Sequence, residues 1–266
     1  MIEGTQASLA EIFELGAAGD RPNADIEEVL AYVDAMEWAV TAAPRLPIST
    51  RMLLEAHRRL LSGVRGADRR PGELRTTQNW IGRPGSTPET ARFVPPPPDE
   101  LAGLLTDWER FANEEPDMPL LVQDALLHVQ FETIHPFLDG NGRLGRLLIA
   151  LFLVDKDVLR EPLLYLSLYL KTHRQTYYRL LQDVRLKGDW ETWLEFFLIG
   201  VAETANNAYD SAMRIVALFR NDRERISAAG DQTNSMLRIH ELLQTHPFVN
   251  AAQAQRKTGL SAPTVN

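Results

Sequence analysis

The chain has 266 residues, 44% of them hydrophobic and 24% charged, with no cysteine and a formal charge of -8. That length suits one or two domains, and the composition is that of a folded soluble protein. Without cysteine, disulfides, thiolate metal sites and cysteine nucleophiles are excluded, and 28 Lys plus Arg against 36 Asp plus Glu argue against broad electrostatic binding of nucleic acid.

No apolar run is long enough to span a bilayer, and Met1-Ile2-Glu3-Gly4 does not resemble a signal peptide, so the expected setting is cytoplasmic and away from membranes. In chain order, Ser8 and Glu11 fit a capping box that opens a helix near Leu9. Ile26, Val29, Leu30, Val33, Met36 and Val40 fall on one face at helical spacing. A second stripe, Met52, Leu53, Ala56, Leu60 and Leu61, ends at Gly63. Helical patterns recur from Pro98 to Asn113, Leu120 to Ile134, Arg143 to Asp155, Thr172 to Leu186 and Asp189 to Asn221, which predicts an all-α bundle with a real core.

The stretch from Pro71 to Pro98 breaks the pattern. It is poor in helix formers, and Arg75–Gly82 and Ala91–Val94 are predicted to pair as a short β-hairpin around "RPGSTPET". Pro95 to Pro98 would stiffen its exit as polyproline II. A lone hairpin on a helical domain leaves an open edge, a liability unless a partner segment uses it. From Ser235 the sequence reads helix, turn, helix, a turn at Gly259, then a helix start at Ser261. That is the opening of a helix-turn-helix, in which a second helix would enter a DNA groove, and only about a turn of that helix precedes Asn266. Punctuation around Arg225–Thr233 suggests a boundary there, giving residues 1–228 and 229–266 as the two parts.

The chemistry concentrates in "HPFLDGNGRLGR", His135 to Arg146. Gly140 and Gly142 let the backbone come close to a ligand, and successive amides there would form a nest for anionic oxygens. A helix starting near Arg143 adds its positive end. Arg143 and Arg146 could fork onto phosphate oxygens from one face of its first turn. Cations at a helix N-terminus oppose the macrodipole by about 0.3–1 kcal/mol each, so two of them imply an anion of several charges between. Asp139 suits Mg²⁺, which takes one or two carboxylates plus phosphate oxygens, and Asn141 could orient one phosphate oxygen. His135 is suited to taking a proton from a hydroxyl. The spacing points to phosphoryl or nucleotidyl transfer without saying which phosphate is attacked. His246-Pro247-Phe248 repeats His135-Pro136-Phe137 but lacks the glycines, arginines and carboxylate, and is expected to be a turn with a packed Phe. His128 and Glu132, four apart on a helix, could form a metal pair, but no third ligand appears.

This motif resembles the signature of the Fic family, His-x-Phe-x-Asp/Glu-Gly-Asn-Gly-Arg-x-x-Arg, at every defined position. "GELRTTQNWIG" and "ARFVPPPP" are similar to the family's flap, about residues 75–95, and "YLSLYLKTHRQTYYRLLQ" to the segment after the motif. The resemblance implies an all-helical fold and transfer of AMP from Mg-ATP to a Ser, Thr or Tyr hydroxyl of a target protein, which could be the chain itself. It implies that His135 is the general base and Asp139 the metal ligand. Gly140, Asn141, Gly142 and Arg143 would hold the α- and β-phosphates, and Arg146 the γ-phosphate. Tyr177 and Tyr178 would line the adenine side, though two aromatics on a helix could equally be core. The flap residues Gln78, Asn79, Trp80, Ile81 and Gly82 would pair with the target backbone. Glu3 and Gly4 match the end of the family's inhibitory helix, whose Glu ties up the second motif arginine. Its Ser/Thr would fall before Met1, so only partial restraint is expected. Removal of AMP from a modified target, and nucleotide sensing by a DNA-binding regulator, are the alternative activities. A homodimer is a further candidate assembly.

Overall fold

A computed structural model describes residues 23–83, 85–228, 230 and 233–265. The capping box at Ser8, and Glu3 and Gly4, lie outside them. The chain divides into two compact units, the first taking in Asn23–Ala205 and the second running from Asn206 on.

In the first unit, α1 (Ala24–Ala42) starts where Asn23 accepts a hydrogen bond from the Ile26 amide at 2.9 Å, and α2 (Thr50–Leu60) starts at Ser49. The predicted α2 stripe is the buried one: Met52, Leu53, Ala56, Leu60 and Leu61 are no more than 1% exposed. The α1 face differs from the expected one, because Leu30 and Val33 are 45% and 43% exposed while Ala35, Met36 and Ala39 are buried. Small residues on the inner face let α1 and α2 pack closely, and Ala35, Ala39 and Ala56 all sit in the same core.

After the flap region, α3 (Leu101–Asn113) follows a 3₁₀ turn at Pro98–Glu100, then come α4 (Leu120–Ile134) and α5 (Asn141–Asp155). The paired helices α4 and α5 form the centre of the unit. Nearly all of α5 is buried, from Leu144 to Leu153 without a break. The helix begins at Asn141, two residues before the predicted start, with Gly140 in the left-handed region at φ 78°. The expected single helix from Thr172 to Leu186 is α7 (Arg174–Lys187), preceded by a separate α6 (Leu166–Thr172). A second core cluster joins α4, α6 and α7 to the start of α8 (Trp190–Ser227), with Trp193 at 0% exposure donating its indole N–H to the Ala125 carbonyl at 3.0 Å.

The hairpin is smaller than predicted. Ile81 and Phe93 form a single isolated antiparallel bridge, with no strand ladder among the described residues. The remaining polar groups are drawn elsewhere: the Arg75 amide donates to the Pro136 carbonyl, and four prolines in the return arm offer no amide to a ladder. Pro97, at φ -63° and ψ 155°, has the polyproline geometry expected of that exit.

In the second unit, the distal part of α8 is followed by α9 (Thr233–Thr245), α10 (Ala251–Thr258) and a short α11 (Ala262–Val265). Asn250 and Gln253 form a capping box at the start of α10, and Gly259, in the left-handed region at φ 68°, ends it. Phe219 and His240 meet edge to face at 5.8 Å. The second His-Pro-Phe copy is the turn after α9, as expected, but Phe248 is 47% exposed, whereas Phe137 in the first copy is 0% exposed. No helix of the described residues is long and apolar enough to cross a membrane.

Candidate active site

The site is built on the turn between α4 and α5. The His135 backbone closes α4 in a left-handed conformation, φ 48° and ψ 58°, which for a non-glycine residue is held only where the surroundings over-determine it. Four side chains do so. Arg75, 2% exposed, donates from Nε to the His135 carbonyl at 2.9 Å and from Nη2 to the Ile134 carbonyl at 3.4 Å and to the Pro96 carbonyl. A cation is thus placed against the last carbonyls of α4, which carry the negative end of its dipole. Asn141 clamps Phe137 from both sides, accepting from its amide at 2.9 Å and donating to its carbonyl at 2.8 Å. Asn79 donates to the same carbonyl at 3.0 Å, which ties the flap to the loop. His57 stacks on the Phe137 ring at 3.8 Å and donates from Nε2 to the Asp139 carbonyl at 2.9 Å. Its Nδ1 accepts the Gly72 amide at 2.9 Å. A Cβ on Gly140 would lie 3.2 Å from His57 Nε2, so that position needs glycine for space as well as for its positive φ.

His135 lines an open cleft together with Gly142 and Arg146 of α5, Tyr177 and Tyr178 of α7, and Trp80, Ile81 and Gly82 of the flap. Burial, helped by the nearby Arg185 and Arg75 charges, pushes the His135 imidazole down to about 3, so it is neutral over the physiological range. Its Nδ1 is buried 4.0 Å from Glu132 Oε2, which leaves Nε2 for chemistry in the cleft. Arg146 is only 5% exposed.

The two motif arginines do not share one surface. Arg143, at 1% exposure, is not among the cleft residues; Nη1 lies 3.8 Å from Glu28 Oε1 and Nη2 lies 3.7 Å from Asp139 Oδ1, with a hydrogen bond to the Arg65 carbonyl at 3.3 Å. Asn141 faces its own loop, as described. Asp139 is 40% exposed and accepts the Gly140 amide at 2.6 Å. A lone half-exposed carboxylate at the start of a helix fits Mg²⁺, which completes its shell with phosphate and water oxygens. Among the described residues no group of three or more His, Asp or Glu could hold a metal by itself. His128 is excluded from such a role by its partners: Nδ1–H donates to the Gly145 carbonyl at 3.1 Å and Nε2 accepts the Tyr177 hydroxyl at 2.9 Å. Tyr177 is therefore a core residue at 1% exposure whose ring edges the cleft, while Tyr178 lies more openly under Arg174, 5.6 Å from its ring centroid.

In the flap, Gln78 donates to the Pro95 carbonyl at 2.9 Å and Trp80, 42% exposed, donates to the Ser86 carbonyl at 2.8 Å. The flap rests on α7 through Arg92, which donates to the Tyr178 carbonyl at 2.9 Å, and Gln182, which donates to the Arg92 carbonyl at 2.9 Å. Arg185 lies 3.9 Å from the Phe93 ring centroid and donates to the Glu132 carbonyl at 2.8 Å, joining flap, α7 and α4. Sequence reasoning missed His57, Arg75 and Arg185. His57 did carry a signal, a polar residue one position from Ala56 within an apolar stripe.

Fold and cleft together define an all-helical domain with a flap-edged site at the start of an internal helix. The chain belongs to the Fic/DOC family: the family model matches residues 47–153, and the model of the family's N-terminal region matches residues 1–41. The protein adenylyltransferase Fic of Drosophila grimshawi is 34% identical over 160 residues, 58% of this chain and 31% of its own length. That of Drosophila persimilis is 30% identical over 251 residues, 90% of this chain and 45% of its own. The chain thus spans less than half the length of these curated relatives. A crystal structure of a Fic family protein from Desulfovibrio desulfuricans G20 superposes with a TM-score of 0.67 at 24% identity, over 99% of this chain and 73% of that one, which shows a shared fold.

Two outcomes are expected of the loop and its histidines. Replacing Arg75 by Ala strands three carbonyls that a buried cation now satisfies, and should cost about 3 kcal/mol, with Arg75→Lys in between; urea unfolding followed by fluorescence measures this, since all five tryptophans lie in the first unit. Burial also pushes His57 down to about 4 and His128 to about 3. For His57, His128 and His135 the folded state resists a proton that the unfolded state accepts below about 6.5, so stability present above that pH is lost as pH falls. Each should contribute a loss of about 2 kcal/mol at pH 5. Asp124, pushed well up by burial, acts in the opposite sense and offsets part of this, so the expected result is a net fall in stability between pH 7 and pH 5. Equal stability at the two pH values would overturn the assignment of three neutral buried histidines.

Proposed function

We propose that the chain is a protein adenylyltransferase, transferring AMP from Mg-ATP to the hydroxyl of a Ser, Thr or Tyr on a target protein. The observation that carries this reading is a neutral histidine, His135, held in a strained turn and lining the same cleft as Gly142 and Arg146 at the start of α5. The name of both curated relatives points the same way.

In this reading the triphosphate lies along the N-terminus of α5, where the first backbone amides of the helix and its positive end favour anionic oxygens. Arg146 takes the terminal phosphate, and Arg143 and Asn141 act from the loop side. Asp139 would hold Mg²⁺, which when bound neutralises phosphate charge. Tyr178, beside Tyr177, borders the nucleoside. The target segment lies along the flap at Trp80–Gly82, where the single bridge leaves backbone groups available for pairing. The target hydroxyl oxygen attacks the α-phosphorus while His135 Nε2 takes its proton. The bond from the α-phosphorus to the bridging oxygen breaks, and pyrophosphate leaves with the electron pair. Glu3 restrains the reaction by opposing Arg146, so Glu3→Gly raises the rate.

The test is transfer of label from α-labelled ATP with Mg²⁺ to protein, in a lysate and on the chain itself, for wild type and Glu3→Gly, each with and without His135→Ala. Label is expected in both His135 proteins and should fall about 10²–10⁴-fold on its replacement. Absence of label even with Glu3→Gly would overturn the transferase reading, and loss of label from a target already carrying AMP would replace it with AMP removal.

A further inference from the structure

The cleft is lined by five arginines, Arg83, Arg92, Arg146, Arg174 and Arg185, and by one carboxylate, Glu132, in a chain whose overall charge is -8. Two of the five have work at the floor. Arg146 is buried beside the start of α5, and Arg185 is spent on Thr133, the Glu132 carbonyl and the Phe93 ring. The other three are exposed at the rim, Arg83 and Arg92 on the flap and Arg174 at the start of α7. Arg92 and Arg174 are oriented by neutral groups, the Tyr178 carbonyl and the Tyr178 ring, and among the described residues no Asp or Glu oxygen comes within 4.0 Å of any of the three. Among the other exposed or half-buried arginines of the first unit, Arg58, Arg59, Arg110 and Arg179 have a carboxylate partner, whereas Arg45, Arg51, Arg70 and Arg160 have none among the described residues, so what distinguishes the rim is that its unpaired arginines gather around one cleft. The contrast holds even within α7, where Arg179, one turn on from Arg174, pairs with Asp183 at 3.0 Å. Two of the three, Arg83 and Arg92, are carried by the flap itself, on either side of the Ile81–Phe93 bridge along which a target segment would lie.

Building on the transferase reading, we infer that the rim formed by Arg83, Arg92 and Arg174 selects a target segment with acidic side chains flanking the modified hydroxyl. The segment lies extended against Trp80–Gly82. Alternating side chains of an extended strand lie on opposite faces, so acids on either side of the hydroxyl can reach flap and α7 arginines at once. Exposed pairs of this kind are screened by salt and give modest discrimination, about two- to fivefold in kcat/KM for each acid.

The test uses the full chain carrying Glu3→Gly, α-labelled ATP, and peptides alike except at the flanks of one Ser, Thr or Tyr: Asp/Glu, Asn/Gln or Lys/Arg. Acidic flanks should give the highest kcat/KM through a lower peptide KM, an advantage that shrinks as salt is raised and shrinks further in Arg83→Glu. Equal labelling of all three series, or of none by a protein that still labels itself or releases pyrophosphate, overturns the inference and leaves the transferase reading standing. A rise in KM for ATP rather than for peptide in Arg83→Glu would assign the rim to the nucleotide and also overturn it. No label and no pyrophosphate release would remove the transferase reading and the inference together.

Discussion

The polypeptide leaves α4 at Ile134 and enters α5 at Asn141, and those two helices pack against each other, so six residues must turn the chain back while keeping an imidazole at the cleft. That constraint forces the left-handed backbone at His135. Such a conformation costs roughly 1–3 kcal/mol for a non-glycine residue. The contacts that offset it come from four side chains in three separate places: Arg75 and Asn79 at the start of the flap, His57 on α2, and Asn141 at the head of α5. Each of them reaches a backbone group of the loop rather than the His135 ring. The ring is positioned through its main chain, and the bundle's rigidity reaches the chemistry by that route.

What could be read from the sequence depends on the range of the interactions involved. Helical periodicity is local, and it placed α4 to the residue and the buried stripe of α2 correctly. It misassigned part of α1, because a stripe of large apolar residues is a weaker guide than the need for small ones where two helices approach closely. The flap showed itself as a break in helical pattern, but the extent of its pairing depended on where Arg75 and the prolines place their donors and acceptors. The loop clamps were invisible for the same reason: Arg75 lies 60 positions from His135, and His57 lies 82 from Asp139.

Several motif residues serve structure and site at once. Asn141 and Arg143 have the chemistry of phosphate ligands, yet the amide of Asn141 is used on Phe137, and Arg143 is buried beside Glu28, Asp139 and the Arg65 carbonyl. A buried guanidinium needs carboxylate or carbonyl partners, since an isolated charge would be expensive. Supplying them from α1 and from the segment after α2 makes the helix start part of a larger electrostatic unit. Tyr177 shows the same doubling: its hydroxyl satisfies the buried His128 while its ring forms one wall of the cleft.

The three depressed histidines show why a shifted pKa does not by itself find a catalytic base. Burial acts on His57, His128 and His135 alike and leaves all three neutral. Their hydrogen bonds separate them. His57 donates to Asp139 and accepts from Gly72, and His128 donates to Gly145 and accepts from Tyr177, so neither has a nitrogen to offer. His135 alone among the three has neither ring nitrogen in a hydrogen bond to another described residue, and it alone lines the cleft. A neutral imidazole with an available lone pair is what proton abstraction requires. In this fold that property is set by what the neighbouring residues leave undone: the other two rings are built into the support of the loop and core, and the third is held by its backbone so that its side chain stays available.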